Sequence, residues 1–434
     1  MDNYIVRQPI LNRKNETVAY EILYQQDATS LFQKEEDVPA ANAIEEFIAQ
    51  GDSDKISGGK TAWLTFTPSL LLRNIPTMFT PEKLVIQIED NSLVHPLAQK
   101  VIYRYQKKGY DLALKGFEFS PRYFSVLDAI SKIKLDFAAS AEEKESYANI
   151  ASIGKSFQKQ IVAYNVNARE DYELAEKIGC DLFQGTYIAV PRSEKIHRVD
   201  HMQSNFFQLI VAITKEEPDV DEIAEIISRD VTLAFALIKL VNSAYFALRN
   251  RAKSVKQALL VLGLGQLKQW VYLLSFKQDG SDAPEELIRM SFLRGNFAQA
   301  LSGYVQELPV SPSEAYMMGM FSTLGVLMDI SLEDALAQLA ISDDVKKALL
   351  YGEGKAGQLF QMVLCYENAD WSGITHYARA LGIPVNVISQ KYFECVEYVN
   401  HIWQSLSQPY ETEEKPKQMM EKAVKEGEEN DGVS

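Results

Sequence analysis

Residues 5–24 read IVRQPILNRKNETVAYEILY, two β-rich runs at 5–11 and 17–24 separated by the five residues Asn12-Arg13-Lys14-Asn15-Glu16. A connection this short joins antiparallel strands, because parallel neighbours need a crossover of a dozen residues or more. Beyond this hairpin the chain has a different rhythm. Further β-rich runs stand at 61–66 (TAWLTF), 84–89 (LVIQIE), 110–114 (YDLAL), 132–137 (KIKLDF), 160–166 (QIVAYNV) and 182–190 (LFQGTYIAV). Helical-period segments lie between them at 39–50, 95–108, 121–130, 142–158 and 169–179. A strand about every 25 residues, each followed by a helix, is the pattern of parallel βαβ units. An antiparallel hairpin at the head of such a series predicts an α/β fold, a (β/α) barrel with one irregular antiparallel strand, in preference to a doubly wound sheet.

After Pro191 the texture changes to closely spaced short helices with hardly a strand, which predicts an all-α second domain. Asp219 and Glu222 form a D-x-x-E capping pattern ahead of IAEIISR, Asp230 opens TLAFALIKL, and Ser254 opens VKQALLVLG with Gly263 as its C-cap. The expected organisation is a barrel domain over 1–192, a connector over 193–203, a helical domain over 204–405 and a charged tail over 406–434. The tail, ETEEKPKQMMEKAVKEGEENDGVS from Glu411, has dense mixed charge and no strand signal, the composition of a disordered segment.

Composition narrows the class further. A chain of 434 residues is long enough for two domains that each bury a core. With 44 basic against 59 acidic side chains, net charge −15, nucleic acid and anionic membranes are disfavoured as partners. The three cysteines, Cys180, Cys365 and Cys395, make no CxxC and no disulfide framework. With neither a signal-peptide pattern nor an apolar run of about 20 residues, the expected location is the cytoplasm.

In a βα barrel the chemistry sits at the C-terminal strand ends. Here those ends carry Glu21, Thr65, Gln87, Lys115 with Gly116, Asp136, Tyr164 with Asn167, and Gln184. A pair of hard cations needs several convergent carboxylates. Only Glu21 and Asp136 qualify, and an ammonium at Lys115 would repel a cation by several kcal/mol at ~4 Å and intermediate dielectric. On these grounds the mouth is unsuited to divalent-metal chemistry. Lys115 or Lys134 pairing with the carboxylates in an ion network is favoured over a surviving acid–base set.

The stretches QPILNRKNETVAYEIL, LVIQIEDN, LALKGF, IKLDF, IVAYNVNA and LFQGTYIAVP are similar, in this order and spacing, to successive motifs of the EAL domain, the cyclic di-GMP phosphodiesterase barrel. The α-half, with NSAYF at 242–246 followed by LLVLGLGQL, resembles the HDOD domain, a relative of HD phosphohydrolases that lacks their metal-binding residues. Together they resemble the bacterial EAL–HDOD signalling proteins.

The resemblance implies that Glu21 stands at a metal-ligand position, and that Lys134 and Gln184 match the family pattern. It also implies departures. Thr65 stands for an asparagine, Gln87 for a ligand glutamate, and Lys115 and Gly116 for paired aspartates. Tyr164 and Asn167 replace two glutamates, and Gln25 replaces an arginine that grips a nucleotide phosphate. In the helical half Arg294 stands near a lost ligand histidine, and Ser322 and Thr323 stand for the HD dipeptide.

Two lesser signals are bland. His197 and His201 have i, i+4 spacing, but Arg198 follows the first histidine where a zincin has glutamate. Gly263 and Gly265 read as a helix C-cap, not a nucleotide loop.

The expectation from sequence is therefore a non-catalytic signalling or scaffold protein that acts through protein–protein contacts, with phosphodiesterase activity lost and no cofactor. Its partner is a protein, and a homodimer is one option. The alternative is a cyclic di-GMP receptor or residual cyclic di-GMP phosphodiesterase, with Mg or Mn held by Glu21 and Asp136; cyclic di-GMP binding is open but not favoured.

Overall fold

The computed structural model describes residues 5–24, 56–89, 97–117, 121–124, 126–187, 205–215, 217–229, 234, 237–238, 240–242, 252, 254–276, 285–328, 330–337, 339 and 341–407. Eight strands close into a barrel in sequence order: β1 (Ile5–Asn12), β2 (Thr17–Tyr24), β3 (Thr61–Thr65), β4 (Leu84–Ile88), β5 (Asp111–Lys115), β6 (Lys132–Asp136), β7 (Gln160–Tyr164) and β8 (Leu182–Phe183). The β1 strand runs antiparallel to both neighbours, β2 and β8, and every other pairing is parallel. The irregular-strand barrel expected from the hairpin is thus the observed fold.

Among the described residues the longest helices of the barrel half are α1 (Ala98–Lys107), α2 (Tyr147–Ser156) and α3 (Arg169–Ile178), with shorter ones at Pro68–Leu72, Pro121–Phe124 and Ala141–Lys144. Inside the barrel, Ile10, Ala19, Trp63, Val85, Ala113, Val162 and Leu182 form a small dry layer. Trp63, 1% exposed, fills most of that layer and floors the mouth above it. Because side chains alternate across a strand, the inward residues one step nearer the mouth are Glu21, Thr65, Gln87, Lys115, Lys134 and Tyr164.

The helical half contributes α4 (Val220–Ser228), α5 (Val255–Phe276), α6 (Glu285–Ser302), α7 (Pro312–Phe321), α8 (Gly354–Glu367), α9 (Trp371–Leu381) and α10 (Val385–Ser407). Asp219 caps α4 as expected, accepting from the Asp221 amide, but the reciprocal Glu222 contact does not form. Glu222 is instead paired with Lys215 at 2.6 Å. Ser254 accepts from the Gln257 amide at the start of α5. Gly263, at φ +72°, does more than cap: it bends the chain between two helical runs that continue to Phe276. Asp230, most of the NSAYF string, the 39–50 helix, His197, His201 and the tail from 408 lie outside the described residues.

The two halves share one core. Ile5 and Val6 of β1 cluster with Phe297, Tyr366 and Tyr392 of the helices. Polar contacts fix the same face: Tyr366 Oη donates to the Ile5 carbonyl at 2.9 Å, and Arg7 Nη1 to Asn400 Oδ1 at 2.8 Å. The free outer face of the β1–β2 hairpin is what α6, α8 and α10 cover. No helix among the described residues is long and apolar enough to cross a membrane.

Candidate functional site

At the barrel mouth the structure brings Glu21, Gln87, Lys134 and Gln184 into one buried cluster. Lys134 Nζ donates to Glu21 Oε2 at 2.7 Å, to Gln87 Oε1 at 2.8 Å and to Gln184 Oε1 at 3.1 Å. Three acceptors are what an ammonium with three protons can use. Gln87 Nε2 closes the ring by donating to Glu21 Oε1 at 2.7 Å and lies 3.3 Å from Thr65 Oγ1. Below, Lys134 Nζ lies 4.9 Å from the centroid of the Tyr164 ring and 5.7 Å from that of Trp63, so aromatic faces add to its stabilisation.

Lys115 sits in register beside Lys134 and higher in the mouth, its side chain 18% exposed. Its ammonium is 3.7 Å from Glu21 Oε1 and 3.8 Å from Glu89 Oε1. Gly116 follows at φ +73°, and among the described residues a Cβ there would meet nothing within 4 Å. Asp136 makes no ion pair with either lysine: its Oδ1 accepts from Asn165 Nδ2 at 2.8 Å and from the Ala138 amide at 2.9 Å among the described residues. Asn167 Oδ1 accepts from the Thr186 amide at 3.0 Å and ties the loops after β7 and β8 together. Gln25 lies outside the described residues.

The charges respond as this geometry demands. Burial alone would raise the Glu21 carboxyl, but the Lys134 and Lys115 ammoniums outweigh it and hold it at about 2. Burial pulls Lys134 down to about 8 even though Glu21 opposes it. Burial, then Asp136, pushes the Tyr164 hydroxyl far above the usual phenol range.

These donors do not fit a divalent pair. Both oxygens of Glu21 are already engaged, two ammoniums stand within 4 Å of it, and among the described residues no three His, Cys, Asp or Glu side chains converge to hold a metal ion. The ion network expected from the strand ends is therefore present, with both lysines in it.

Sequence reading missed Gln8. Gln184 Nε2 donates to Gln8 Oε1 at 3.0 Å, and Gln8 Nε2 donates on to the Glu367 carbonyl of α8 at 3.2 Å. Glu367 in turn receives Arg294 through Nε at 2.6 Å and Nη2 at 2.7 Å, and Arg294 Nη1 reaches Ser322 Oγ at 3.0 Å. The barrel cluster is thus hydrogen-bonded in series to the place in the helical half where the HD residues would fall. Arg294 and Ser322 meet because α6 and α7 touch backbone to backbone: a Cβ on Gly319 would lie 2.3 Å from the Gly295 nitrogen. Thr323 is buried beside them, its Oγ1 without a hydrogen-bond partner among the described residues.

With this geometry in view, sequence comparison defines the class. The EAL domain family matches residues 66–191 and the HDOD domain family residues 201–349. The chain carries an EAL domain followed by an HDOD domain. It is 28% identical over 411 residues to the uncharacterised protein YuxH of Bacillus subtilis, covering 92% of this chain and 98% of that one. It is 27% identical over 402 residues to the cyclic di-GMP phosphodiesterase CdgJ of Vibrio cholerae, covering 92% and 93%. Among solved structures, the EAL-domain protein YkuI of Bacillus subtilis is 16% identical with a TM-score of 0.35, covering 60% of this chain and 72% of that one.

The CdgJ match corrects one expectation. The non-catalytic scaffold, with phosphodiesterase activity lost, is overturned: a relative sharing both halves over 93% of its length is a cyclic di-GMP phosphodiesterase. Counting carboxylates at the strand ends weighs ligands for one mechanism only, whereas a lysine can also offset charge that develops on a phosphate.

Proposed function

We propose that the barrel mouth acts on cyclic di-GMP as a slow phosphodiesterase. The observation that carries this reading is the placement of Lys115, a partly exposed ammonium beside a buried Lys134–Glu21 pair, at the C-terminal end of an EAL barrel. The similarity to CdgJ supports the choice of substrate.

A phosphodiester anion entering the mouth meets Lys115 first. The ammonium offsets charge that grows on the phosphoryl oxygens as water attacks, an electrostatic role that needs no proton transfer. Glu21, held ionised, keeps Lys134 charged and fixed, and so positions the second cation of the mouth. Asp136, with no ammonium within 4 Å among the described residues, is the carboxylate at the mouth that takes the water proton. The water oxygen bonds to phosphorus, one phosphorus–oxygen bond of the ring breaks, and the released sugar oxygen takes a proton from solvent. The reading keeps the cytoplasmic location expected from the sequence, and the free cysteines Cys180, Cys365 and Cys395 support it.

The test is incubation of the full-length chain with labelled cyclic di-GMP, with magnesium, manganese or chelator, followed by chromatography of the product. Linear dinucleotide should accumulate above the blank and fall at least tenfold in Lys115→Ala and in Asp136→Asn. A chain that neither binds nor opens the dinucleotide under any of these conditions overturns the proposal, and saturable binding without product makes it a receptor.

A further inference from the structure

Between the barrel and the helical half lies a cavity of ≈ 200 Å³, walled by β1 and β2 on one side and by α6 and α8 on the other. Glu21, Lys115 and Lys134 do not line it, although Gln8, Asn165 and Asn167 border both it and the mouth. Its charged lining does not balance. Glu367 is taken up by Arg294. Glu286 accepts from Thr17 Oγ1 at 2.8 Å and lies 3.9 Å from Arg289. Arg7 is left over: it is 6% exposed, and among the described residues it meets only neutral groups, the Ile56 carbonyl at 2.6 Å, Asn400 Oδ1 at 2.8 Å and the face of Tyr20. A buried cation without a counter-charge is costly.

A second observation points the same way. Arg289 also lines the cavity and is 7% exposed. Its Nη1 donates to Tyr20 Oη at 2.5 Å, yet its Nε is buried and has no hydrogen-bond partner among the described residues. Arg7 and Arg289 therefore flank Tyr20 from two sides, one with surplus charge and the other with an unused donor. Opposite them Leu293, Phe297 and Val363 make an apolar wall, and Asn167 and Asn368 supply amides toward the rim.

We infer that this interdomain cavity is a binding site for a small organic phosphate, whose anionic group is held by Arg7 and Arg289 and whose body lies against Phe297 and Leu293. Guanidinium forks suit a phosphate because its oxygens accept from several directions at once. The site centres on Arg7 and Arg289, which take no part in the proposed phosphodiesterase chemistry, and does not depend on that activity. It is joined to the mouth by the Gln8 bridge, so occupancy on one side bears on side chains of the other.

The probe is guanosine 5′-monophosphate, titrated calorimetrically into the full-length chain, with guanosine and inorganic phosphate as separate arms. The nucleotide should bind once per chain, guanosine should give no saturable heat, and inorganic phosphate should compete weakly. Affinity should fall at least tenfold in Arg289→Met and several-fold in Asn368→Asp. The latter adds a carboxylate at the exposed rim without disturbing the buried network. In Lys115→Ala it should be unchanged. The inference is overturned if the nucleotide gives no saturable heat at millimolar concentration. It is equally overturned if guanosine binds as well, or if binding survives Arg289→Met and Asn368→Asp but is lost in Lys115→Ala, which would place the nucleotide in the barrel mouth.

Discussion

At the barrel mouth Lys134 meets Glu21 at 2.7 Å with side chains 0% and 2% exposed; in the helical half Arg294 meets Glu367 at 2.6 Å with side chains 15% and 22% exposed. Both cations have recruited a carboxylate. The chemistry of the two differs. An ammonium is a point charge with three donors, and the mouth supplies a tripod of Glu21, Gln87 and Gln184 that uses all of them. A guanidinium is a planar fork, and Arg294 spends one edge on Glu367 and a further nitrogen on Ser322. The first pair is sealed between aromatic rings. The second borders a cavity and keeps some access to solvent.

Burial should decide which pair matters more to the fold, and deleting each cation compares them. Lys134→Met leaves the Glu21 carboxylate buried with only the more distant Lys115 nearby, and should cost about 3–5 kcal/mol. Urea unfolding measures it. The double variant Lys134→Met with Glu21→Gln removes both charges and should recover most of the loss. A single-variant loss below about 1 kcal/mol would mean the mouth hydrates freely and would erase the contrast with Arg294.

Acid unfolding probes the same pair without a mutation at the lysine. The Glu21 carboxyl is depressed from 4.5 to about 2 in the folded chain. Between those values the unfolded chain binds the extra proton, so stability rises with pH across the window and is lost as pH falls through it. The loss from this one group is on the order of 3 kcal/mol. It should be seen as a steep fall in unfolding free energy below about pH 4.5 that is flattened in Glu21→Gln. Equal slopes in both chains would locate the acid sensitivity elsewhere.

Arg294→Met should be milder, about 1–2 kcal/mol by the same urea measurement, because the freed Glu367 carboxylate can turn to water. A loss as large as that of Lys134→Met would show the interdomain cavity to be as dry as the barrel interior.

How much of this contrast was legible in the sequence depends on how local each feature is. Strand periodicity located all eight strands, and the short Asn12–Glu16 loop fixed the antiparallel start. Of the last candidate strand, 182–190, the described residues show Leu182–Phe183 as strand and Gly185 packed against the backbone of Val166, and 188–190 lie outside the described residues. Lys115, Lys134 and Glu21 were readable as strand-end residues once the fold was guessed. Gln8 was not. Counting back from the hairpin loop sets Gln8 opposite Tyr20, but a bulge between Ile10 and Leu11 shifts the register by one and places it opposite Glu21 instead. Arg7, Tyr20 and Arg289 were missed for a related reason: Arg289 meets Tyr20 across 269 residues, and Arg7 meets Asn400 across 393, only after the helices pack on β1 and β2, and no sequence spacing carries that.

The smallest expected effect is at that missed residue. Gln8→Leu removes one donor and one acceptor that bridge the two regions, at a cost of about 0.5–1.5 kcal/mol in unfolding free energy. Its value lies in coupling. If the series Lys134, Gln184, Gln8, Glu367, Arg294 joins the two ion pairs, then Arg294→Met and Lys134→Met should be non-additive in the parent chain and additive in the Gln8→Leu background. Contacting or networked residues show interaction energies of about 0.5–3 kcal/mol, whereas independent sites add within about 0.5. Strict additivity in both backgrounds would make the two pairs separate devices that happen to share a neighbour. Non-additivity that vanishes with Gln8 would make them one network, in which the barrel and the helical half sense each other through a single amide.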